Sequence, residues 1–117
     1  MYTALRYTLE SNGTTYKNES INASVFVDLL TNLELQEYVV LEPSELVEGS
    51  MYMQAAALDE PGQMVAEIRL QEGESGFRHY SYKTADTTRV IQWFLDYWGK
   101  QLLPQLEDWQ DITHEMR

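Results

Sequence analysis

The sequence predicts an α+β fold in which two helices pack on one face of an antiparallel sheet of about five or six strands. Three observations lead to this class. Several short segments alternate apolar and polar residues, two longer segments repeat apolar residues with helical spacing, and short turn sequences separate consecutive strands. At 117 residues the chain suits one core, so residues 1–117 are predicted to form a single domain. The predicted element order is β-β-α-β-β-β-β-α.

The chain begins with a predicted hairpin. Residues 2–9 alternate, which places three apolar side chains on one face: Leu5, Tyr7 and Leu9. The following Asn12-Gly13 pair favours a two-residue turn because both residues tolerate positive φ. Residues 14–17 then form the return strand.

Two segments are predicted to be amphipathic helices. The first begins near Ser20, a suitable N-cap, and presents one apolar stripe: Ile21, Val25, Phe26, Leu29, Leu30 and Leu33. The second begins near Thr84 or Asp86 and ends near Gly99 or Lys100. Its predicted core face consists of Val90, Ile91, Phe94 and Trp98.

Four further strands lie between the helices. They are predicted at residues 38–41, 51–58, 64–71 and 77–83. Pro43 stops the first of them, and turn sequences at 59–62 and 72–76 separate the last three. Consecutive strands with short turns indicate an antiparallel meander.

The composition excludes several kinds of chemistry. The chain has no cysteine, which rules out disulfides, Cys-ligated metals and thiol catalysis. No glycine-rich phosphate loop and no cluster of metal-binding residues is present, so we expect neither a metal nor an organic cofactor. The first ten residues lack the pattern of a signal peptide, and no apolar run is long enough to cross a membrane. A cytoplasmic location is therefore expected.

The net charge indicates the kind of partner. Eight Lys and Arg against 19 Asp and Glu give 8 − 19 = −11. Nucleic acids and anionic membrane surfaces carry the same sign of charge and are therefore not expected as ligands. A basic protein would be attracted.

One set of residues suggests a docking surface for such a protein. Residues 34–48 contain five acids and no base: Glu34, Glu37, Glu42, Glu45 and Glu48. Trp93 lies at the edge of the second helix's apolar arc and is the best candidate for an exposed aromatic anchor. The first hypothesis is therefore a non-enzymatic protein-binding module that docks a basic partner.

The residues leave other classes of function open. Arg78, His79, Tyr80 and Tyr82 follow one another on a strand and suggest a small-ligand or catalytic pocket on a helix-covered sheet. A structural homodimer that uses an exposed sheet face is a third possibility. No catalytic residue is assigned under the first hypothesis, so an enzymatic activity is not expected there.

The stretch from Met64 to Ile112 resembles a group of known proteins. It places Glu67-Ile68-Arg69 on a strand and continues through His79-Tyr80, Trp93-Phe94 and Trp109-Gln110-Asp111-Ile112. This pattern is similar to small acidic bacterial proteins of unknown function, some of which resemble immunity proteins that neutralise toxins. The resemblance implies a stoichiometric protein inhibitor without catalytic residues.

Overall fold

The computed structural model describes residues 5–116, which form an antiparallel sheet of seven strands and three α-helices. The strands are β1 Tyr7–Ser11, β2 Thr14–Tyr16, β3 Tyr38–Pro43, β4 Ser50–Ala57, β5 Met64–Glu72, β6 Gly76–Thr84 and β7 Gln110–Asp111. The helices are α1 Ala23–Thr31, α2 Leu33–Gln36 and α3 Thr87–Lys100. The strand order across the sheet is β2-β1-β3-β4-β5-β6-β7.

The α+β class, the antiparallel sheet and the predicted succession of elements are confirmed, whereas the predicted numbers of strands and helices are too low. The additional elements within residues 5–116 are α2, with four residues, and β7, with two. Neither is long enough to leave a periodic pattern in the sequence. The first strand begins at Tyr7, and residues 1–4 of its predicted range lie outside the described part of the chain.

The core lies between one face of the sheet and helices α1 and α3. A register row crosses the sheet and places four fully buried side chains on that face: Leu9, Leu41, Met53 and Ile68. From the helix side, the Phe26 and Phe94 rings are both fully buried, with centroids 6.2 Å apart. The two helices therefore share one apolar core.

Helix α3 is rotated slightly from the predicted orientation. Val90 and Phe94 are fully buried as predicted, but Ile91 and Trp98 are only partly buried. Tyr97 takes the additional buried position, because its hydroxyl forms a 2.7 Å hydrogen bond with the Ser50 hydroxyl. Burial raises the pKa of Tyr97 to about 12.

Side chains cap both long helices. Asn22 accepts a hydrogen bond from Val25 N–H at the start of α1, so the helix begins three residues after the predicted Ser20 cap. Residues Asn18–Ser20 instead form a 3-10 turn. Asp86 caps α3 by accepting a 3.1 Å hydrogen bond from Arg89 N–H.

The segment after α3 wraps around the β6 edge of the sheet. Trp109 packs against Tyr82 on the helix side, with ring centroids 5.6 Å apart. Beyond β7, Ile112 N–H donates to the His79 carbonyl, and His79 N–H donates to the Thr113 hydroxyl. Thr113 is buried against the sheet. None of the helices in residues 5–116 has both the length and the apolar character that a membrane crossing needs.

Candidate protein-binding surface

Charge is distributed very unevenly along the chain. No Lys, Arg or His occurs from Asn18 to Ile68, and this stretch holds ten of the 19 acids. It contains α1, α2, β3, β4 and the first half of β5. Nine of those ten carboxylates are exposed; the tenth, Glu67, is partly buried. We call residues 18–68 the cation-free stretch.

Cations in the remainder of the chain have partners close by. Arg78 pairs with Glu72 at 2.6 Å and with Asp111 at 3.3 Å. Lys100 lies 3.7 Å from Asp96, one helical turn earlier in α3. These two cations are therefore occupied outside the cation-free stretch. Arg6, in contrast, pairs with Glu19 of that stretch, and Arg6 and Lys17 line one groove with Glu42.

The five acids predicted to form one patch lie in two groups. Glu34 and Glu37 stand at the end of α2, where β3 begins. Glu42 is near the other end of β3, and Glu45 and Glu48 follow in the connection to β4. At about 3.3 Å per residue, the five positions from Glu37 to Glu42 span roughly 16 Å. The structure thus separates the predicted patch into two groups, which we call the two ends of the anionic surface.

At the first end, the three elements α1, α2 and the β4–β5 turn enclose a cleft of about 280 Å³, which we call the helix-end cleft. Its apolar lining includes Leu30, Leu33, Ala57 and Met64. At the rim, the Glu34 carboxylate accepts a 2.8 Å hydrogen bond from Gly62 N–H, which ties α2 to the turn. Leu35, also at the rim, is 77% exposed.

At the second end, acids and apolar side chains lie together. The Glu48 carboxylate accepts a 2.8 Å hydrogen bond from Leu103 N–H, so the β3–β4 connection rests against the segment that follows α3. Leu46, two residues before Glu48, and Leu102, next to Leu103, are each about half exposed. This end therefore combines exposed apolar side chains with carboxylates.

The expectation that Trp93 is an exposed aromatic is wrong. Its ring is partly buried and lies 5.0 Å from the Trp109 ring and 5.4 Å from the Tyr82 ring, measured between centroids. Tyr82 comes from β6 and Trp109 from the segment after α3, so the pattern of α3 alone gives no sign of either neighbour. The Arg89 guanidinium lies 5.2 Å from the Trp93 centroid and covers it further.

The four residues of the predicted alternative pocket do not converge. Successive residues of a strand point to opposite faces. Tyr80 and Tyr82 pair with Ile68 and Ala66 on the helix side, whereas His79 pairs with Arg69 on the opposite face. Arg78, on the side of the tyrosines, is exposed and joined to carboxylates. The structure therefore does not bring these side chains into one pocket.

His79 instead belongs to a polar network on the helix-free face of the sheet. Its side chain is fully buried; Arg69 Nε donates to Nδ1 at 3.1 Å, and Nε2 lies 3.1 Å from a Glu67 carboxylate oxygen. Gln54 donates to the other Glu67 oxygen at 2.6 Å. The contact with Arg69 places the ring proton on Nε2, so both ring nitrogens are occupied. Both contacts are to side chains of this chain, so the ring is held within the sheet.

The network also sets the charge state of its carboxylate. The hydrogen bond from His79 is the main cause that holds the pKa of Glu67 below its ordinary value; partial burial opposes it. The Arg69 guanidinium stacks 4.0 Å from the Phe77 ring centroid, which fixes its orientation. Sequence reasoning missed Gln54, Glu67 and Arg69 as partners of His79. The register of β4, β5 and β6 was the signal needed to find them.

The helix-free face has a groove of its own, of about 290 Å³. Its lining mixes both signs of charge, with Lys83 opposite Glu67 and Glu115. It therefore lacks the uniform negative charge of the cation-free stretch. Within residues 5–116, no three carboxylate or imidazole side chains are grouped so that they could hold a metal ion.

Comparison of the chain with protein-family models, with curated proteins and with solved structures finds no match.

Proposed function

We propose that this chain is a non-enzymatic protein-binding module that docks a basic protein partner on the surface of its cation-free stretch. The observation that carries the proposal is the presence of nine exposed carboxylates in residues 18–68, of which only Glu19 forms an ion pair, with Arg6, in the described part of the chain. Such a field attracts positively charged partners and accelerates their association. Neutralisation of a basic toxin by a bound inhibitor is one function of this kind.

The state of the histidines supports binding over catalysis. His79 is the buried histidine, and its two ring nitrogens are engaged by Arg69 and Glu67. His114 is exposed in the last described turn. General acid–base catalysis needs a side chain that can exchange a proton with bound substrate. Neither histidine offers that arrangement.

Apolar contacts supply the second requirement of a docking surface. Charge at an interface mainly raises the association rate, whereas buried apolar anchors slow dissociation. Leu46 and Leu102, each about half exposed beside Glu48 and Leu103, provide such anchors at the second end of the anionic surface. Under this proposal both features act on one partner.

The test begins with capture of partners from the native cell and continues with association kinetics on each one. Reversal of charge in the double variant Glu42→Lys/Glu45→Lys should lower the association rate by about tenfold at low salt. Glu107→Lys/Asp108→Lys is the matched control, because these exposed acids lie in the other half of the chain. Its effect should be clearly smaller.

Salt provides a second readout. The Debye length falls from ~10 Å at 0.1 M to ~3 Å at 1 M salt, so the wild-type association rate should fall steeply across that range. The dissociation rate should change less. An acidic partner, or an association rate that ignores both salt and charge reversal, would contradict the proposal.

A further inference from the structure

We infer that the helix-end cleft is an anchor site that receives one apolar side chain of a partner segment in which that side chain is flanked by Lys or Arg. The inference rests on the proposed function, because it names the part of a basic partner that this surface recognises. Three features of the cleft support it: its size, the charge around it and its exposed rim.

The size of the cleft favours a single side chain. Pockets for drug-sized ligands enclose about 300–1,000 Å³. The cleft has about 280 Å³ and is open to solvent on the side of Leu35. Leu30, Leu33 and Met64 are almost fully buried at its base, and the partly buried Ala57 and the exposed Leu35 supply its more accessible apolar surface. A leucine- or methionine-like side chain would therefore meet a preformed apolar surface.

The charge around the cleft selects cations. Glu34 is the charged residue of its lining, and the hydrogen bond from Gly62 N–H holds that carboxylate at the rim. Further exposed carboxylates flank the cleft at Glu37, Asp59 and Glu60. No base occurs in this stretch of sequence. An acidic segment would be repelled, and a neutral one would gain nothing from these carboxylates.

The exposed rim offers apolar surface that a bound segment would cover. Leu35 has the largest exposed fraction among the large apolar side chains of residues 5–116, at 77%. A second copy of this chain is a poor candidate for the cover, because two surfaces of the same negative sign would be brought together. A cationic segment adds charge attraction to the burial of Leu35.

The experiment uses the capped tripeptide acetyl-Lys-Leu-Lys-amide as the probe and backbone amide NMR shifts of the full chain as the readout. Saturable shifts are expected at Leu33, Gly62 and Met64. Two matched probes separate the contributions: acetyl-Lys-Ser-Lys-amide removes the apolar anchor, and acetyl-Glu-Leu-Glu-amide reverses the charge. Both should shift these amides much less.

A conservative variant tests the rim carboxylate. Glu34→Gln removes the charge but keeps an oxygen that can accept the Gly62 hydrogen bond, so the cleft should stay folded. It should raise the dissociation constant of the Lys-Leu-Lys probe about two- to fivefold, which is the effect of one exposed ion pair. Glu107→Gln, an exposed acid outside the cation-free stretch, should leave that constant unchanged.

The outcomes separate this inference from the proposed function. Shifts confined to residues 42–48 would overturn the cleft as the anchor site and leave a basic partner in place. Equal shifts with the serine and leucine probes, or no saturable shift at the cleft, would also overturn it. Cleft shifts together with a native partner that is acidic would instead support the anchor site and overturn the proposed function.

Discussion

The cation-free stretch and the rest of the described chain share one core but differ in how their surface charges are balanced. Residues 18–68 hold ten acids and no cation, whereas residues 69–116 hold eight acids and five Lys or Arg. In the second region charges are used internally: Arg78 bridges two carboxylates, and the Arg69 and Arg89 guanidinium groups lie over aromatic rings. In the first, most carboxylates project into solvent.

This difference separates what holds the fold from what is available to a partner. Unpaired surface carboxylates contribute little to stability and repel one another. Of the nine exposed acids, Glu19 pairs with Arg6, and Glu34 and Glu48 accept backbone hydrogen bonds. The contacts of the described residues give no structural reason for the other six. If the comparison is correct, core substitutions in either region should lower the free energy of unfolding by similar amounts. Charge substitutions should change it differently in the two regions.

The largest effect is expected in the shared core. Phe94→Ala in α3 and Phe26→Ala in α1 should each lower the free energy of unfolding by about 3–5 kcal/mol, because both rings are fully buried. Their ring centroids are 6.2 Å apart, so the two losses of unfolding free energy should not add in the double variant. Denaturant melts measure all three.

Val27→Ala is the control for this pair, since Val27 is exposed in the same helix as Phe26. It should change stability by less than about 0.5 kcal/mol. A small loss for Phe26 beside a large one for Phe94 would contradict a core shared by the two regions.

The next effect should separate the two histidines. His79→Gln leaves Arg69 and the partly buried Glu67 without their shared partner, which should lower the free energy of unfolding by about 1–3 kcal/mol. His114→Gln is the matched control at an exposed position and should stay within about 0.5 kcal/mol. Equal losses in chemical denaturation would show that the network does not stabilise the fold.

A smaller effect with a defined pH dependence is expected at Tyr97. Its pKa is raised from 10.0 to about 12, so the folded state retains a proton that the unfolded state releases above pH 10. Wild-type stability should therefore fall as the pH rises from 10 through 12. Tyr97→Phe should cost about 1 kcal/mol at neutral pH, through the lost Ser50 hydrogen bond.

The alkaline limb is the diagnostic part of that experiment. Thermal melts from pH 9 to 12 should fall less steeply for Tyr97→Phe than for wild type. Tyr7, whose pKa burial also raises to about 12, keeps part of the slope in the variant. Identical slopes would mean that Tyr97 does not titrate between these limits.

The smallest effect should come from the acids of the cation-free stretch. Glu42→Gln and Glu45→Gln should leave the free energy of unfolding within about 0.5 kcal/mol, or raise it slightly by relieving repulsion. Glu72→Gln is the control in the other region, where it removes a partner of Arg78. A loss of stability greater than 1 kcal/mol at Glu42 or Glu45 would give these acids a structural role and remove the contrast between the regions.

The elements of the fold were largely predictable because each carries a local signal. The periodicity of α3 identified Val90 and Phe94 correctly, and alternation identified β5 at almost its observed limits. The predicted burial of Ile91 and Trp98 was less accurate. A helical wheel cannot anticipate that Tyr97 is buried and forms a hydrogen bond with the Ser50 hydroxyl. The two-residue strand β7 has no signal of its own and forms because the chain folds back on β6.

The site was less predictable because it depends on which segments meet. The five acids of residues 34–48 are evident in the sequence, yet only the extended geometry of β3 separates them into two ends. The exposure of Trp93 was predicted wrongly, because the ring that packs against it belongs to Trp109, sixteen positions away. The helix-end cleft joins α2 to a turn nearly thirty residues later through Glu34 and Gly62, a contact that no spacing rule reveals.

The absence of cations from residues 18–68 also determines which proteases and chemical reagents can react with this stretch. Trypsin has no cleavage site between Lys17 and Arg69, so a digest releases the whole stretch as one long peptide. Amine-reactive cross-linkers find lysines only at positions 17, 83 and 100, and of these only Lys17 shares a groove with acids of the stretch, Glu19 and Glu42. Covalent mapping of a bound partner therefore has to proceed through the carboxylates themselves, with carbodiimide coupling and a protease that cleaves after glutamate.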